Sequence, residues 1–223
     1  MTTEITPEAE SRLEAFLELV LEKNKVMNLT AVSDKNEART RHLEDSLTLL
    51  QAADFKGKKI IDVGCGAGFP GMPLKLLDPC LDITLLDSQN KKIEFLKEAG
   101  EKLGVFPRLL CARAEEAAYL PELRGKFDIA LARAVAPLGI LCELTMPFLR
   151  QGGVFLAMKM KDSEEELKSA MNAVKTLGGT VDGFYDYTLA GEEIGRRIII
   201  IAKSGDTPKI FPRRFSKIKS KPL

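Results

Sequence analysis

Apolar residues in the first 52 positions recur at helical spacing. Thr6 and Pro7 have the composition of a helix start, because threonine caps the first turn and proline fits its first position. Apolar residues follow at 13, 16, 17, 20 and 21, and a second helix is predicted over 35–52. We therefore expect an N-terminal helical cap over residues 1–56.

From residue 57 the pattern changes to short apolar runs that alternate with helical segments. Strands are predicted at 59–63, 82–86, 107–111, 127–132, 153–158, 180–188 and 195–202. Helices are predicted near 71–77, 89–103, 115–119, 138–149 and 163–177. This alternation favours a parallel sheet covered on both faces, and the short last loop makes the final strands antiparallel neighbours. We predict an α/β fold with a Rossmann-like, seven-stranded sheet over 57–203.

The composition indicates the cellular compartment in which the protein is expected. The chain is 45% hydrophobic and 29% charged, as in an ordinary globular protein. It contains no run of about 18 apolar residues, so no membrane span is predicted. The N-terminus lacks the basic and apolar regions of a signal peptide. The four cysteines, at 65, 80, 111 and 142, are too widely spaced for a zinc site and are expected to be buried or nearly buried free thiols. We expect a cytoplasmic protein without a metal.

Charge is distributed unevenly. The formal net charge is +1, yet residues 203–223 hold seven basic residues and one acidic residue. A basic C-terminal tail, 204–223, suggests an anionic partner, with nucleic acid first. A disordered solubilising end is an equally good interpretation of the tail alone.

The most informative segment runs from residue 60 to 71. A short buried strand ends at Asp62 and Val63, and four glycines then follow within eight residues, at Gly64, Gly66, Gly68 and Gly71. A strand, a glycine-rich turn and a helix start form the geometry that holds a nucleotide or nucleoside. Glycine allows the positive φ and the close backbone approach that such a turn needs.

The spacing favours S-adenosylmethionine (SAM) over a nicotinamide dinucleotide. The loop also fits G-x-G-x-x-G, but Asp62 would repel a pyrophosphate, which SAM lacks. The layout is that of a class I SAM-dependent methyltransferase domain. Asp87 ends the second strand and is predicted to bind the ribose hydroxyls, with a helix cap as the alternative. Ala114 and Glu115 are predicted to edge the adenine, although Glu115 also suits a helix N-terminus.

The acceptor atom is predicted by what the chain lacks. No Asn-Pro-Pro-aromatic turn for an exocyclic amine follows the fourth strand, and Cys80 of a Pro-Cys pair precedes the second strand, across the sheet from the cofactor. A guanine N7 has an exposed lone pair and needs no general base, so alignment is the main requirement.

Motifs along nearly the whole chain resemble the bacterial 16S rRNA small subunit methyltransferase G family, also called glucose-inhibited division protein B. The Phe-Pro-Gly ending of the glycine loop is unusual among SAM loops. The motifs, in chain order, are Asn28-Leu29-Thr30, His42-Leu43-Glu44-Asp45-Ser46-Leu47, Asp62-Val63-Gly64-Cys65-Gly66-Ala67-Gly68-Phe69-Pro70-Gly71, Leu85-Leu86-Asp87-Ser88, Arg133-Ala134, Lys159 and Pro212-Arg213-Arg214.

The resemblance implies methyl transfer from SAM to N7 of one guanine in the decoding-region loop of 16S rRNA. It implies that Arg133 and Lys159 position the substrate and that no general base takes part. The expected partner is 16S rRNA or the small ribosomal subunit, and the protein is expected to be a monomer. The implied cofactor contacts are Asp62, Gly64, Gly66, Gly68, Phe69, Asp87, Ala114, Glu115 and Arg133. Arg196 and Arg197 open the last strand on the same rim as Lys159, and all three are predicted to contact RNA phosphates. The other predicted RNA contacts are His42, Arg213 and Arg214.

Three alternatives stay open at this point. A lone histidine on a helix, such as His42, is more often a packed core residue than a functional one. The chain could be a methyltransferase of small molecules, or an RNA-binding protein without catalytic activity. The path of the tail is also open, because the last strand is predicted to end on the rim away from the cofactor.

Overall fold

One mixed sheet of seven strands forms the centre of the molecule. A computed structural model describes residues 5–133 and 136–223, and its strand order is β3-β2-β1-β4-β5-β7-β6. Strands β1 to β5 are parallel, whereas β7 runs antiparallel to both β5 and β6. The strands are β1 (Lys59–Val63), β2 (Asp82–Asp87), β3 (Arg108–Cys111), β4 (Phe127–Arg133), β5 (Leu149–Met160), β6 (Gly179–Tyr187) and β7 (Arg196–Lys203). The predicted topology is confirmed.

Eight helical segments surround the sheet within the described residues. They are α1 (Pro7–Met27), α2 (35–52), α3 (Gly71–Leu77), α4 (Asn90–Leu103), α5 (Ala114–Ala117), α6 (Leu138–Thr145), α7 (Glu164–Thr176) and α8 (Phe215–Ser220). Thr6 accepts a hydrogen bond from the Ala9 amide and so caps α1 as expected. Segment α2 is not one regular helix, because its middle, Arg39–Glu44, winds as a π-helix.

The prediction of a helix over 138–149 is wrong at its C-terminal end. Helix α6 stops at Thr145, and a single 3₁₀ turn, Met146–Phe148, leads into β5. Pro147 lacks the amide that would continue an α-helix, and Leu149 already pairs with Phe127 of β4. Strand β5 is therefore longer than the predicted 153–158.

The N-terminal helices share a hydrophobic core with the sheet. Leu13, Phe16 and Leu17 of α1 are fully or almost fully buried, and they belong to one apolar cluster with Ile60 of β1 and Leu85 of β2. The boundary predicted at residue 56 stays a prediction, but the core is continuous across it.

The C-terminal segment folds back over the domain. Strand β7 ends on the rim opposite the glycine loop, and Arg124 then donates to the carbonyls of Thr207, Pro208 and Phe211. Helix α8 follows, with Ile218 fully buried against α6. The interpretation of the tail as a disordered end is therefore wrong, because the tail is packed and hydrogen-bonded.

The cysteines are only partly as expected. All four thiols are free, and Cys65 and Cys142 are buried. Cys80 and Cys111 are exposed, in contrast to the prediction, because Cys80 lies in the turn before β2 and Cys111 ends β3.

Candidate functional site: two adjoining cavities at the strand ends

The glycine loop is held by backbone hydrogen bonds that its amides donate to the neighbouring strand. The amides of Gly64 and Cys65 both donate to the Leu86 carbonyl of β2, at 2.8 and 3.0 Å. Gly64 and Gly66 have φ of 76° and 58°, a region that favours glycine. The loop therefore wraps tightly around the carboxyl ends of β1 and β2 and presents its backbone to a cavity.

Two of the predicted cofactor residues lie behind this loop. Asp62 is 1% exposed, its Oδ2 accepts from the Gly71 amide at 2.9 Å, and its Oδ1 has no hydrogen-bond partner among the described residues. Burial raises the pKa of Asp62 to about 7. A Cβ on Gly68 would lie 2.7 Å from Leu96 of α4. Asp62 and Gly68 shape the loop and are not part of the cavity wall, and their contact with the cofactor stays a prediction.

Asp87 fixes the turn into α4 and also lies on the cavity wall, where ribose binding stays a prediction. Its Oδ1 accepts from the Gln89 amide at 2.8 Å, which fixes the turn into α4. Its Oδ2 accepts from the Gly66 amide at 3.0 Å and lies on the cavity wall. Each carboxylate oxygen retains a second lone pair, so Asp87 can also accept from ribose hydroxyls.

The cofactor cavity has a volume of about 470 Å³. Its walls combine loop backbone, apolar side chains and the carboxylates of Asp87 and Glu115, which suits a nucleoside. The other predicted residues in the wall are Gly64, Gly66, Phe69, Ala114, Arg133 and His42. The wall also contains residues that the sequence did not single out, among them Lys92, Leu144 and Phe215.

The N-terminal segment closes one side of this cavity. Asn28 ends α1 in the left-handed region, at φ 50°, and Thr30 exchanges two hydrogen bonds with Asn24. The Thr30 hydroxyl oxygen lies 2.7 Å from His42 Nε2. His42 in turn stacks on Phe69 of the glycine loop, with ring centroids 4.8 Å apart. The cavity thus depends on the N-terminal helices.

His42 is a half-buried wall residue and not part of the closed core. Burial, with Arg133 nearby, lowers the pKa of His42 to about 4. At neutral pH the ring is therefore uncharged and presents a flat face to Phe69 and the cavity. Direct contact between His42 and RNA stays a prediction.

Arg133 joins three elements at the end of β4. Its guanidinium donates to Asp45 Oδ2 at 3.0 Å and to the Arg41 carbonyl at 2.9 Å, and it lies 5.4 Å from the centre of the Phe69 ring. Asp45 is 1% exposed, and its Oδ1 accepts from the Tyr187 hydroxyl at 2.7 Å. Ala134, the second residue of the Arg133-Ala134 motif, lies outside the described residues.

A second cavity, of about 380 Å³, adjoins the first, and Arg133 lines both. Lys159 of β5 lines the second cavity, where its ammonium donates to Glu166 Oε1 at 2.6 Å and to the Ala136 carbonyl at 2.8 Å. The predicted positioning pair is therefore brought to the same rim, with Arg133 between the cavities and Lys159 in the second cavity.

The basic residues predicted to bind RNA differ in their environment. Arg196 lines the second cavity and pairs with Glu192 and Asp45, and Arg197 forms a bidentate pair with Asp186. Arg214 is exposed at the start of α8, and the described residues show no ion pair for it.

Arg213 is held in an ion pair within the protein, and its contact with RNA stays a prediction. Its guanidinium forms a two-pronged pair with the fully buried Glu143 of α6, and one of these bonds is 2.6 Å long. The Arg213 amide donates to the same carboxylate at 2.7 Å. These donors are occupied because Arg213 anchors the tail.

The wall residue Phe215 was missed from the sequence. It follows Arg214 in the tail, and the anchor at Arg213 places it at the mouth of the cofactor cavity. Only the apolar character of positions 215 and 218 within a basic run could have indicated that this tail packs.

Solved structures share this fold. A methyltransferase from Pyrococcus furiosus superposes with a TM-score of 0.58 over 87% of this chain and 99% of that chain, at 15% identity. TYW2 of M. jannaschii, in complex with AdoMet, superposes with a TM-score of 0.55 over 73% of this chain and 76% of that chain, at 13% identity. The fold is that of the class I SAM-dependent methyltransferases.

Sequence comparison narrows the class to one family. The profile described as rRNA small subunit methyltransferase G matches residues 9–190. The ribosomal RNA small subunit methyltransferase G of Clostridium perfringens is 40% identical over 210 residues, which cover 93% of this chain and 88% of that protein. That of Streptococcus gordonii is 39% identical, with 99% and 94% covered. The chain belongs to the rRNA small subunit methyltransferase G family.

Two further observations concern residues 5–133 and 136–223. No helix there is long and apolar enough to cross a bilayer. No group of three or more His, Cys, Asp or Glu side chains there is arranged to hold a metal ion.

Proposed function

We propose that this protein transfers a methyl group from SAM to N7 of a single guanine in the decoding-region loop of 16S rRNA. The observation that carries the proposal is the pair of adjoining cavities that share Arg133. One has the walls of a nucleoside site, and the other opens beside it at the ends of β4 and β5. A donor and a base can therefore meet at Arg133.

The first cavity fits SAM. Asp87 accepts from the ribose hydroxyls, Glu115 and Ala114 lie along the adenine edge, and the backbone at Gly64 and Gly66 allows close approach. When bound, SAM supplies a methyl group on a positively charged sulfur. Asp62 stabilises the loop from behind.

Alignment is the main task of the second cavity. Guanine N7 carries an exposed lone pair, and orientation of two bound reactants is worth up to roughly 7–11 kcal/mol of barrier. Asp45 and Glu166 are already paired with Arg133 and Lys159, respectively. This arrangement suits residues that hold a base in place without removing a proton.

Methyl transfer to small ribosomal subunits tests the proposal. Subunits from a strain that lacks the enzyme are incubated with methyl-labelled SAM, and the modified base is mapped by primer extension and mass spectrometry. We expect one 7-methylguanine in the decoding-region loop. A product on an exocyclic amine or on carbon contradicts the proposal.

Two other functions give different results in the same preparation. A methyltransferase of small molecules labels low-molecular-weight extract and leaves ribosomes unlabelled, whereas an RNA-binding protein without activity shows no calorimetric binding of SAM at millimolar concentration. Free 16S rRNA tested beside intact subunits identifies the substrate form. We further propose that the protein is a cytoplasmic monomer without a metal. Light scattering tests the oligomeric state, cell fractionation tests the location, and elemental analysis tests the metal content.

A further inference from the structure

The second cavity contains a buried polar group without a partner. Ser163, which precedes α7, is 6% exposed, lines the cavity, and its hydroxyl makes no hydrogen bond with the described residues. A buried hydroxyl without a partner costs free energy, and a ligand that fills the cavity would supply one. The cavity is therefore suited to a polar ligand.

Glu166 offers a carboxylate oxygen to the same ligand. Its Oε1 accepts from the Leu138 amide at 2.5 Å and from Lys159 at 2.6 Å, so the side chain is fixed from two sides. The described residues place no hydrogen bond on Oε2. Because a carboxylate only accepts, the ligand must present N–H or O–H donors at that position, and the donors of a nucleobase are N–H groups.

The chemistry of guanine matches this arrangement of donors and acceptors. N7 and O6 are acceptors on one edge of the base, and N1–H and the N2 amine are donors on the side away from N7. With N7 directed at the cofactor cavity past Arg133, the donor side enters the second cavity. The carboxylate of Glu166 then meets N1–H and N2–H, with the Lys159 ammonium beside it.

We infer that the second cavity receives the target guanine flipped out of its stack, and that Glu166 and Ser163 recognise its Watson–Crick edge. This inference rests on the proposed function and adds the residues that select guanine over other bases. Met158 and Met160 provide apolar surface for the faces of the base.

Glu166 also favours the reaction electrostatically. A methyl group on N7 gives the base a positive charge, which makes N1–H a stronger donor. The bond between N1–H and Glu166 is therefore stronger in the transition state than in the substrate, and such a difference accelerates the step.

Inosine at the target position tests the inference, because inosine keeps N7, O6 and N1–H and lacks the N2 amine. Small subunits reconstituted with guanosine or inosine at that position are methylated by wild type, Glu166→Gln and Ser163→Ala. Wild type is expected to prefer guanosine by roughly tenfold or more in kcat/KM, the value of one hydrogen bond to a charged group. Glu166→Gln is expected to lose roughly 5- to 150-fold on guanosine.

The ratio of guanosine to inosine separates recognition from a structural role. In Glu166→Gln the ratio is expected to fall to about threefold or less, and Ser163→Ala lowers kcat/KM on both substrates. Glu165→Gln is the matched control, because Glu165 is exposed and pairs with Lys168, and it keeps the wild-type ratio. SAM affinity and thermal midpoint, measured for every variant, show that the cofactor cavity is intact.

Three outcomes overturn the inference. An unchanged ratio in Glu166→Gln shows that Glu166 does not contact the N2 amine. Equal use of inosine and guanosine by wild type shows that the cavity does not recognise this edge at all. Failure of wild type to methylate either substrate overturns the proposed function itself, and with it the inference.

Discussion

Arg133 and Arg213 have nearly the same local environment, but we propose a functional role for the first and a structural role for the second. Each pairs with a carboxylate whose side chain is 1% exposed, and the arginine side chains are themselves 15% and 14% exposed. Arg133 lies between two cavities, whereas Arg213 surrounds Glu143 with its guanidinium and its own amide. Burial and pairing alone therefore do not distinguish a functional arginine from a structural one.

What differs is the surface that remains beside the pair. Arg133 borders empty volume on two sides, so its charge and planar fork are accessible to bound molecules. Arg213 lines one open surface pocket between α5 and α8, and its remaining nitrogen, Nη1, donates to the Lys221 carbonyl at 3.1 Å. Four variants, taken from the largest expected effect to the smallest, test this distinction.

Arg213→Ala is expected to lower the free energy of unfolding by about 3–5 kcal/mol, because it leaves the Glu143 carboxylate buried without its cation. Urea denaturation followed by circular dichroism measures the loss. SAM affinity should also weaken, since Phe215 loses its anchor. Arg214→Ala is the adjacent control and should change stability by less than about 0.5 kcal/mol. A loss below about 1 kcal/mol for Arg213→Ala would contradict the structural role of Arg213.

Arg133→Ala is expected to reduce kcat/KM for methyl transfer by about 10²- to 10³-fold, the usual effect of removing one preorganised donor. Asp45 keeps Arg196 and Tyr187 as partners, so the variant should stay folded. Single-turnover transfer from labelled SAM measures the effect, and Arg133→Lys should recover only part of it. Arg150→Ala, which breaks an arginine–aspartate pair at the opposite rim, is the control. Activity of Arg133→Ala within tenfold of wild type would contradict the assignment.

Asp62 extends the comparison to a buried carboxylate without an ion pair among the described residues. Burial raises its pKa from 3.8 to about 7, so the folded state holds this proton more tightly than the unfolded state. The contribution of Asp62 to stability is therefore full below about pH 4 and declines by about 1.4 kcal/mol per pH unit up to about pH 7.

Wild type and Asp62→Asn, unfolded in urea at a series of pH values, measure this contribution. The advantage of wild type over Asp62→Asn should shrink from pH 4 to 7 and be constant above pH 7.5. A difference that does not change with pH shows that Asp62 is ionised in the folded protein.

The exposed cations of the tail should have the smallest effect. Arg214→Ala combined with Lys217→Ala is expected to reduce the slope of log affinity for RNA against log salt by about 1.4, or 0.7 per phosphate contact with a single strand. SAM affinity should stay unchanged. Fluorescence anisotropy at several salt concentrations measures this slope for the double variant and for wild type. The control is the double variant Lys126→Ala with Lys175→Ala, at the other rim, which should keep the wild-type slope. Equal slopes in the two double variants would exclude the tail from RNA binding.

Much of the fold is predictable from local pattern. The strand at Ile60 and Ile61, the glycines that follow and the alternation to β5 are short-range signals, and they suffice for the topology and the cofactor cavity. Asp87 is predictable for the same reason, because its position at a strand end fixes which rim it joins.

Contacts between distant segments are not predictable in this way. Glu143 and Arg213 are 70 residues apart, and nothing in either segment indicates its partner. The count of basic residues in the tail predicted a charged surface correctly in sign, but it could not separate Arg213 from its neighbour Arg214. The second cavity combines α2, α7 and the strands β4 to β7, so its carboxylates Asp162 and Glu166 were not recognised from the sequence.

The return of the tail to the cofactor cavity bears on how the protein is made. A chain emerging from the ribosome contains the glycine loop, with Gly64 and Asp87, long before it contains Phe215. Such a partial product has the sheet edge that holds a nucleoside and an open gap where the tail will lie. The cofactor cavity is completed only when residues 207–218 have crossed the domain and Arg213 has reached Glu143.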